Sequence, residues 1–103
     1  MTQAKWMVAV LAAGMLVGAA AQAGTIERAC LASERPKSRA LCGCIQRVAD
    51  VTLDRGDQRV AAKFFRDPHQ AQVIRQSDRR TDEVFWQKYK RFGATAEAYC
   101  TRA

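Results

Sequence analysis

Leu41-Cys42-Gly43-Cys44-Ile45-Gln46-Arg47-Val48 is the stretch on which the fold turns. It lies in a helical pattern where Leu41, Ile45, Val48 and Thr52 recur every three or four residues. That is the spacing of one buried stripe, with Cys44 and Val51 beside it. Cys42 and Cys44 are two positions apart, so on a helix they point about 200° from each other. They are therefore expected to serve different partners. What those partners are depends on the compartment, and the compartment is read from the start of the chain.

Lys5 precedes an uncharged run from Trp6 to Ala21, which ends in Ala21-Gln22-Ala23 before Gly24. A basic tip, an apolar stretch and small-x-small have the layout of a secretory signal peptide. The apolar run of about 16 residues is short of the roughly 20 that cross a bilayer as an anchor. Cleavage is expected after Ala23, giving a periplasmic chain from Gly24 to Ala103. Cys30 follows Glu27-Arg28-Ala29, charged residues where a lipidation site needs small apolar ones.

The exported part, residues 24–103, is one domain near the lower size at which a core stands alone. It has no second apolar run, so no integral membrane span is expected after cleavage. Losing residues 1–23 removes Lys5 and no acid, which lowers the formal charge from +7 to +6. Such a balance suits anionic envelope components or an acidic protein partner. Export removes the chain from ATP and chromosomal DNA, so no nucleic-acid partner is expected.

All four cysteines, Cys30, Cys42, Cys44 and Cys100, fall in the exported part, and an even count there reads as two disulfides. Pro36 centres a hairpin of two helices, from which Cys30 and Cys42 are equally distant. Cys30–Cys42 is thus the expected first bridge, which leaves Cys44–Cys100. A zinc site would want Cys-x2-Cys and a second ligand pair. The redox and haem cysteine motifs are also missing from the sequence. No metal and no cofactor is expected.

The exported chain reads all-α, a small bundle of about four to five helices. The first spans Thr25 to about Glu34, with Thr25 as its cap, and breaks at Arg35-Pro36-Lys37. Ser38 caps the second, which runs to about Arg55, with Gly56 in the left-handed position that ends a helix. Asp57 caps the third, to Arg66, with Val60, Ala61, Phe64 and Phe65 inward. Asp67-Pro68-His69-Gln70 starts a fourth helix to about Gln76, with Ala71 and Ile74 inward. Ser77 or Thr81 opens the last, which reaches about Thr101. Phe85, Tyr89, Phe92, Ala96 and Tyr99 form its inner stripe, and Gly93 is expected to permit close packing.

Arg59, Lys63 and Arg66 recur at +4 and +3 on the outer face of the third helix, as an anion- or partner-binding stripe. Arg75, Arg79 and Arg80 form a second basic set where one helix ends and the next begins. There, arginines and free helix N–H groups could hold a carboxylate or phosphate. His69 is expected to face solvent. Glu27, Glu34, Asp50, Asp54 and Glu97 have no spacing that makes a catalytic pair, so no catalytic residue is assigned. Trp86 and Phe65 would form a partner patch if exposed together.

Leu41–Gln46, Phe64-Phe65-Arg66-Asp67-Pro68-His69-Gln70-Ala71-Gln72, Ile74-Arg75-Gln76-Ser77, Phe85-Trp86 and Tyr99-Cys100 together resemble a family of short exported alphaproteobacterial proteins often named "arginine transporter". The resemblance covers nearly the whole exported chain. The name implies arginine handling, but the resemblance carries over no binding residue. A chain of this size cannot form a transport path and could at most be an accessory.

The expectation is therefore a non-enzymatic periplasmic protein that binds a protein or an anionic envelope component through a basic helical surface. The alternatives are an accessory to arginine uptake and a small envelope hydrolase. N-terminal sequencing of the exported protein should begin at Gly24. A chain that retains Met1 would instead mark residues 1–23 as an anchor.

Overall fold

The computed structural model describes residues 24–35 and 37–101. The expected signal peptide and the break at Pro36 lie outside the described residues. The fold is all-α with two disulfides. Five helices are described: α1 Thr25–Ala32, α2 Arg39–Thr52, α3 Arg55–Arg66, α4 His69–Arg75 and α5 Arg80–Cys100. There is no strand among the described residues.

Helix α2 is the axis of the bundle. It packs on α1 and, separately, on α5, while α1 also packs on α3 and α4 bridges α3 and α5. The two cysteines of α2 make both ties as the helical phase requires. Cys42 bonds Cys30 of α1 with the Cα atoms 5.6 Å apart. Cys44 bonds Cys100 at the end of α5 with the Cα atoms 5.7 Å apart. On chain-entropy grounds the bridges contribute about 3 and about 4 kcal/mol, comparable with the whole net stability of a small domain.

The core is Ile26 and Ala29 of α1, Val48 and Ala49 of α2, Leu53 between α2 and α3, Ala61, Ala62 and Phe64 of α3, and Phe85, Phe92 and Cys100 of α5. Phe64 meets Phe85 and Tyr89 edge-on, with ring centroids 5.9 and 5.0 Å away. Tyr89 in turn touches Trp86 and Phe92 along α5. Edge-to-face pairs of this kind add to area burial because ring edges and faces carry opposite partial charge.

A polar knot crosses this core. Gln46 is buried, yet every polar atom of its amide is used. Its Oε1 accepts from the Glu27 N–H at the start of α1, 2.8 Å away. Its Nε2 donates to Asp50 Oδ1 at 2.8 Å and to Gln58 Oε1 at 2.9 Å. One side chain of α2 thus caps α1, which has no side-chain cap of its own, and joins α3.

Several boundaries differ from the sequence reading. Gly24 is the cap position of α1 and Thr25 its first residue, and the helix stops at Ala32. Helix α2 ends at Thr52, because Leu53 is extended and buried. Asp54, not Asp57, caps α3. The two form a reciprocal box, with Asp54 Oδ1 accepting from the Asp57 N–H at 2.8 Å and Asp57 Oδ2 from the Asp54 N–H at 3.2 Å. Gly56 therefore sits inside α3 and has no left-handed φ. At α4, Asp67 accepts from the His69 N–H as expected, at 3.2 Å, but Pro68, expected as the first helical residue, is the cap position and the helix runs His69–Arg75. Neither Ser77 nor Thr81 caps α5: Ser77 Oγ accepts from the Arg79 N–H ahead of the helix and donates to Asp82.

The inner stripe of α5 also departs at its end. Tyr99 is 76% exposed and Cys100 is buried in its place. On a straight helix Tyr99 lies about 20° from Phe92 and Cys100 about 80° from it, so phase alone favours Tyr99. The bond from Cys100 to Cys44 of α2 overrides that phase and holds Cys100 inward. Val51, expected beside the buried stripe of α2, is likewise exposed.

Gly93 does not mediate close packing, since an added Cβ there would meet nothing within 4 Å. It lies on the outer face of α5, so Gly93→Ala should stabilise the protein by about 1 kcal/mol. Gly24 is the opposite case, because a Cβ would fall 2.3 Å from Cδ and Oε1 of Gln46. Gly24→Ala should displace Gln46, strand the Glu27 N–H and destabilise by about 1–3 kcal/mol. Urea unfolding of the two variants checks both signs.

Candidate functional site

Helix α3 places three cations on one side and its apolar residues on the other. Arg59, Lys63 and Arg66 are exposed, while Ala61, Ala62 and Phe64 are buried. Helix α1 packs against α3 through small residues, with Ala29 and Ala62 both in the core. The seam between the two helices is a groove floored by Ala29, Ala32 and Ala62. Arg59, Lys63 and Arg66 line it, and α1 adds Arg28. No acid lines this groove. Arg59, Lys63 and Arg66 have no side-chain ion pair among the described residues. Like charges gathered at one groove raise its potential for anions.

The second basic set does not join the first. Arg75 closes α4 and Arg80 opens α5, and both line a groove with Ile74, Trp86 and Gln87. Arg79 is exposed and does not line it. Five of the six basic residues read as binding positions thus divide between two separate grooves with no residue in common, and Arg79 lines neither. The two half-buried aromatics also part company. Trp86 lines the Arg75–Arg80 groove, whereas Phe65 lines another with Arg35, Pro68 and Tyr89.

Arg28 went unnoticed in the sequence. Its place beside Arg59 depends on α1 meeting α3, and the only local signal is its outward position, one residue before the buried Ala29 and Cys30. Gln46 and Lys88 were also missed. Lys88 Nζ lies 2.6 Å from Asp57 Oδ2 and 3.8 Å from Asp54 Oδ2, and so joins α5 to the start of α3. The Asp57 N–H holds the Asp54 carboxyl below its ordinary range, helped by Lys88. The Asp57 carboxylate pushes the Lys88 ammonium above its ordinary value of 10.5.

The remaining titratable residues have mundane places. His69 is exposed, as expected. Asp50 accepts from Gln46 and from Gln58 Nε2, so it belongs to the structural knot. Glu34 and Glu97 are exposed. All four cysteines are bonded. Among the described residues, no three His, Cys, Asp or Glu side chains gather as a metal site.

Together these features define a class: a small all-α protein tied by two disulfides, with basic grooves between its helices. No family model, curated protein or solved structure matches the chain.

Two groups couple the stability of the fold to alkaline pH. Burial pushes the Tyr89 phenol above its ordinary value of 10.0, and Asp57 raises Lys88. Both folded-state values exceed the unfolded ones, so the folded state holds these protons more tightly. The resulting stability is fully present below about pH 10 and is lost as pH rises through the raised values. Thermal melts between pH 8 and 11.5 should show this loss. Tyr89→Phe should flatten it, and Lys88→Met should lower stability at pH 8 and remove its own share of the slope.

Proposed function

We propose that this is an exported, non-enzymatic protein that binds an anionic envelope component through the groove between α1 and α3. The observation that carries the reading is the convergence of Arg28, Arg59, Lys63 and Arg66 on one seam that no acid lines. Bases and acids are interspersed along the sequence, but at this seam the fold sorts them. Two disulfides suit an oxidising compartment. No helix of the described residues is long and apolar enough to cross a membrane, so contact with the envelope would be peripheral. Arginine-rich grooves suit carboxylate and phosphate groups because the guanidinium offers paired donors.

A second reading, an accessory to arginine uptake, has one observation on its side. Asp54, Asp57 and Asp82 line a further groove whose floor includes Phe64 and Phe85. Asp57 is already paired with Lys88 and Asp82 accepts from Ser77, which leaves little carboxylate capacity for a guanidinium. Calorimetric titration with L-arginine decides it: saturable binding lost in Asp82→Asn would favour this reading.

The main reading predicts salt-sensitive binding to anionic surfaces. Each cation near such a surface contributes about 1 kcal/mol, and the screening length falls from about 8 Å to about 3 Å between physiological and molar salt. The exported protein should sediment with phosphatidylglycerol vesicles at low salt, stay free of phosphatidylcholine vesicles, and dissociate in molar salt. The Arg59→Ser, Lys63→Ser, Arg66→Ser variant should bind about a hundredfold more weakly. Equal binding by this variant and the native chain would reduce the stripe to a solvated face.

A further inference from the structure

The groove between the end of α4 and the first turns of α5 combines features the basic seam lacks. Its volume, about 450 Å³, is close to the seam's 430 Å³, but its lining differs and includes Arg75, Arg80, Glu83, Trp86 and Gln87. Small-ligand sites begin at about this size and join an apolar surface to a few placed polar groups. The indole of Trp86 is half-buried and held in position, stacked on Tyr89 at 5.3 Å and 28°. Tyr89 is itself clamped by Phe64 and Phe85. Arg75 and Arg80 are exposed and have no side-chain partner among the described residues. Glu83 and Gln87 stand one helical turn apart on α5.

We propose that this groove is a subsite for an acidic sugar, a ring of the uronic-acid type. Each part of such a ring has a counterpart here. Its C–H face is apolar and flat and lies against an indole, which carries a large apolar surface with little conformational freedom. Its carboxylate pairs with a guanidinium, the geometry for which arginine is suited. Its hydroxyls donate to the Glu83 carboxylate and both donate to and accept from the Gln87 amide.

Glu83 also argues against the nearest competitors. A phosphate dianion or an acidic peptide would use the arginines but would bring concentrated negative charge and few donors to the Glu83 carboxylate. A hydroxyl-rich monoanion turns the same carboxylate into a partner. The inference is independent of the α1–α3 reading, because the two grooves share no residue.

The chain has two tryptophans, Trp6 and Trp86. Exported protein carrying Trp6→Phe therefore reports on Trp86 alone, whatever its N-terminus. Titration with tetra-galacturonate should shift the indole emission saturably. Neutral chito-oligosaccharide, inorganic phosphate and poly-L-glutamate should each bind at least tenfold more weakly. Arg75→Gln with Arg80→Gln should weaken tetra-galacturonate binding at least tenfold. Arg91→Gln, at an exposed base of α5 that lines neither groove, should leave binding within twofold of the native chain. Trp86→Leu, followed by calorimetry, should abolish binding. Should that variant fail to fold, the exposed arginine pair decides the matter. The proposal is overturned if tetra-galacturonate gives no saturable response. It is equally overturned if phosphate or poly-L-glutamate binds as tightly, or if the arginine double variant binds like the native chain.

Discussion

Helix α2 is bound covalently on two sides, and the rest of the molecule hangs on that arrangement. The phase difference between Cys42 and Cys44 sends one bridge to α1 and the other to the far end of α5. Helix α1 has eight residues and no side-chain cap, too short to persist in water without tertiary support. It is held by Cys30–Cys42, by Gln46 at its first turn and by apolar contact with α3. These contacts also position Arg28. The basic seam is therefore a product of the cross-link, since α3 alone would display a three-residue stripe and no groove.

Charge placement within α3 has a structural share that must be separated from any binding role. Asp54 and Asp57 stand at its start, and Lys63 and Arg66 in its last turn. That order suits the helix dipole, worth a few tenths of a kcal/mol for each exposed charge. Lys63 and Arg66 thus have a reason to exist without a ligand. Arg59 and Arg28 do not share it. Arg59 lies in the first half of α3, where a cation opposes the dipole, and Arg28 is on another helix. The presence of Arg59 at this groove is what the helix dipole leaves unexplained, and it gives the anion-binding reading its weight.

The helix count, the disulfide pairing and the start of α4 were legible because each rests on local periodicity or on covalent phase. The errors came where a local signal had a competitor. Gly56 resembles a helix end, but Asp54 and Asp57 at the spacing of a capping box start α3 ahead of it. Tyr99 fits a heptad stripe, but the bond to Cys44 holds Cys100 inward in its place. Gly93 looked like a packing glycine because the aromatic phase ran through it, yet that same phase places it outward. The stripe Arg59, Lys63 and Arg66 was legible from spacing. Arg28, Gln46 and Lys88 were not, because each acts on an element distant in sequence. The separation of Arg59, Lys63 and Arg66 from Arg75 and Arg80 into two grooves was hidden for the same reason.

The aromatic cluster links the two halves of the protein. Phe64 of α3 is gripped by Phe85 and Tyr89 of α5, and Tyr89 backs Trp86. The opposite end of α5 is fastened to α2 by Cys44–Cys100, and Lys88 ties its middle to the start of α3. Helix α5 is thus restrained near its start, middle and end by interactions of three different kinds. Those restraints give the Trp86 indole a fixed orientation, although the ring is only half-buried. A fixed aromatic face loses little conformational entropy when a ring stacks on it, whereas exposed arginines must be ordered as they bind. In the α4–α5 groove the rigid element would supply shape and the mobile arginines charge. In the α1–α3 seam the alanine floor offers no comparable face, so recognition there rests on charge and falls with salt.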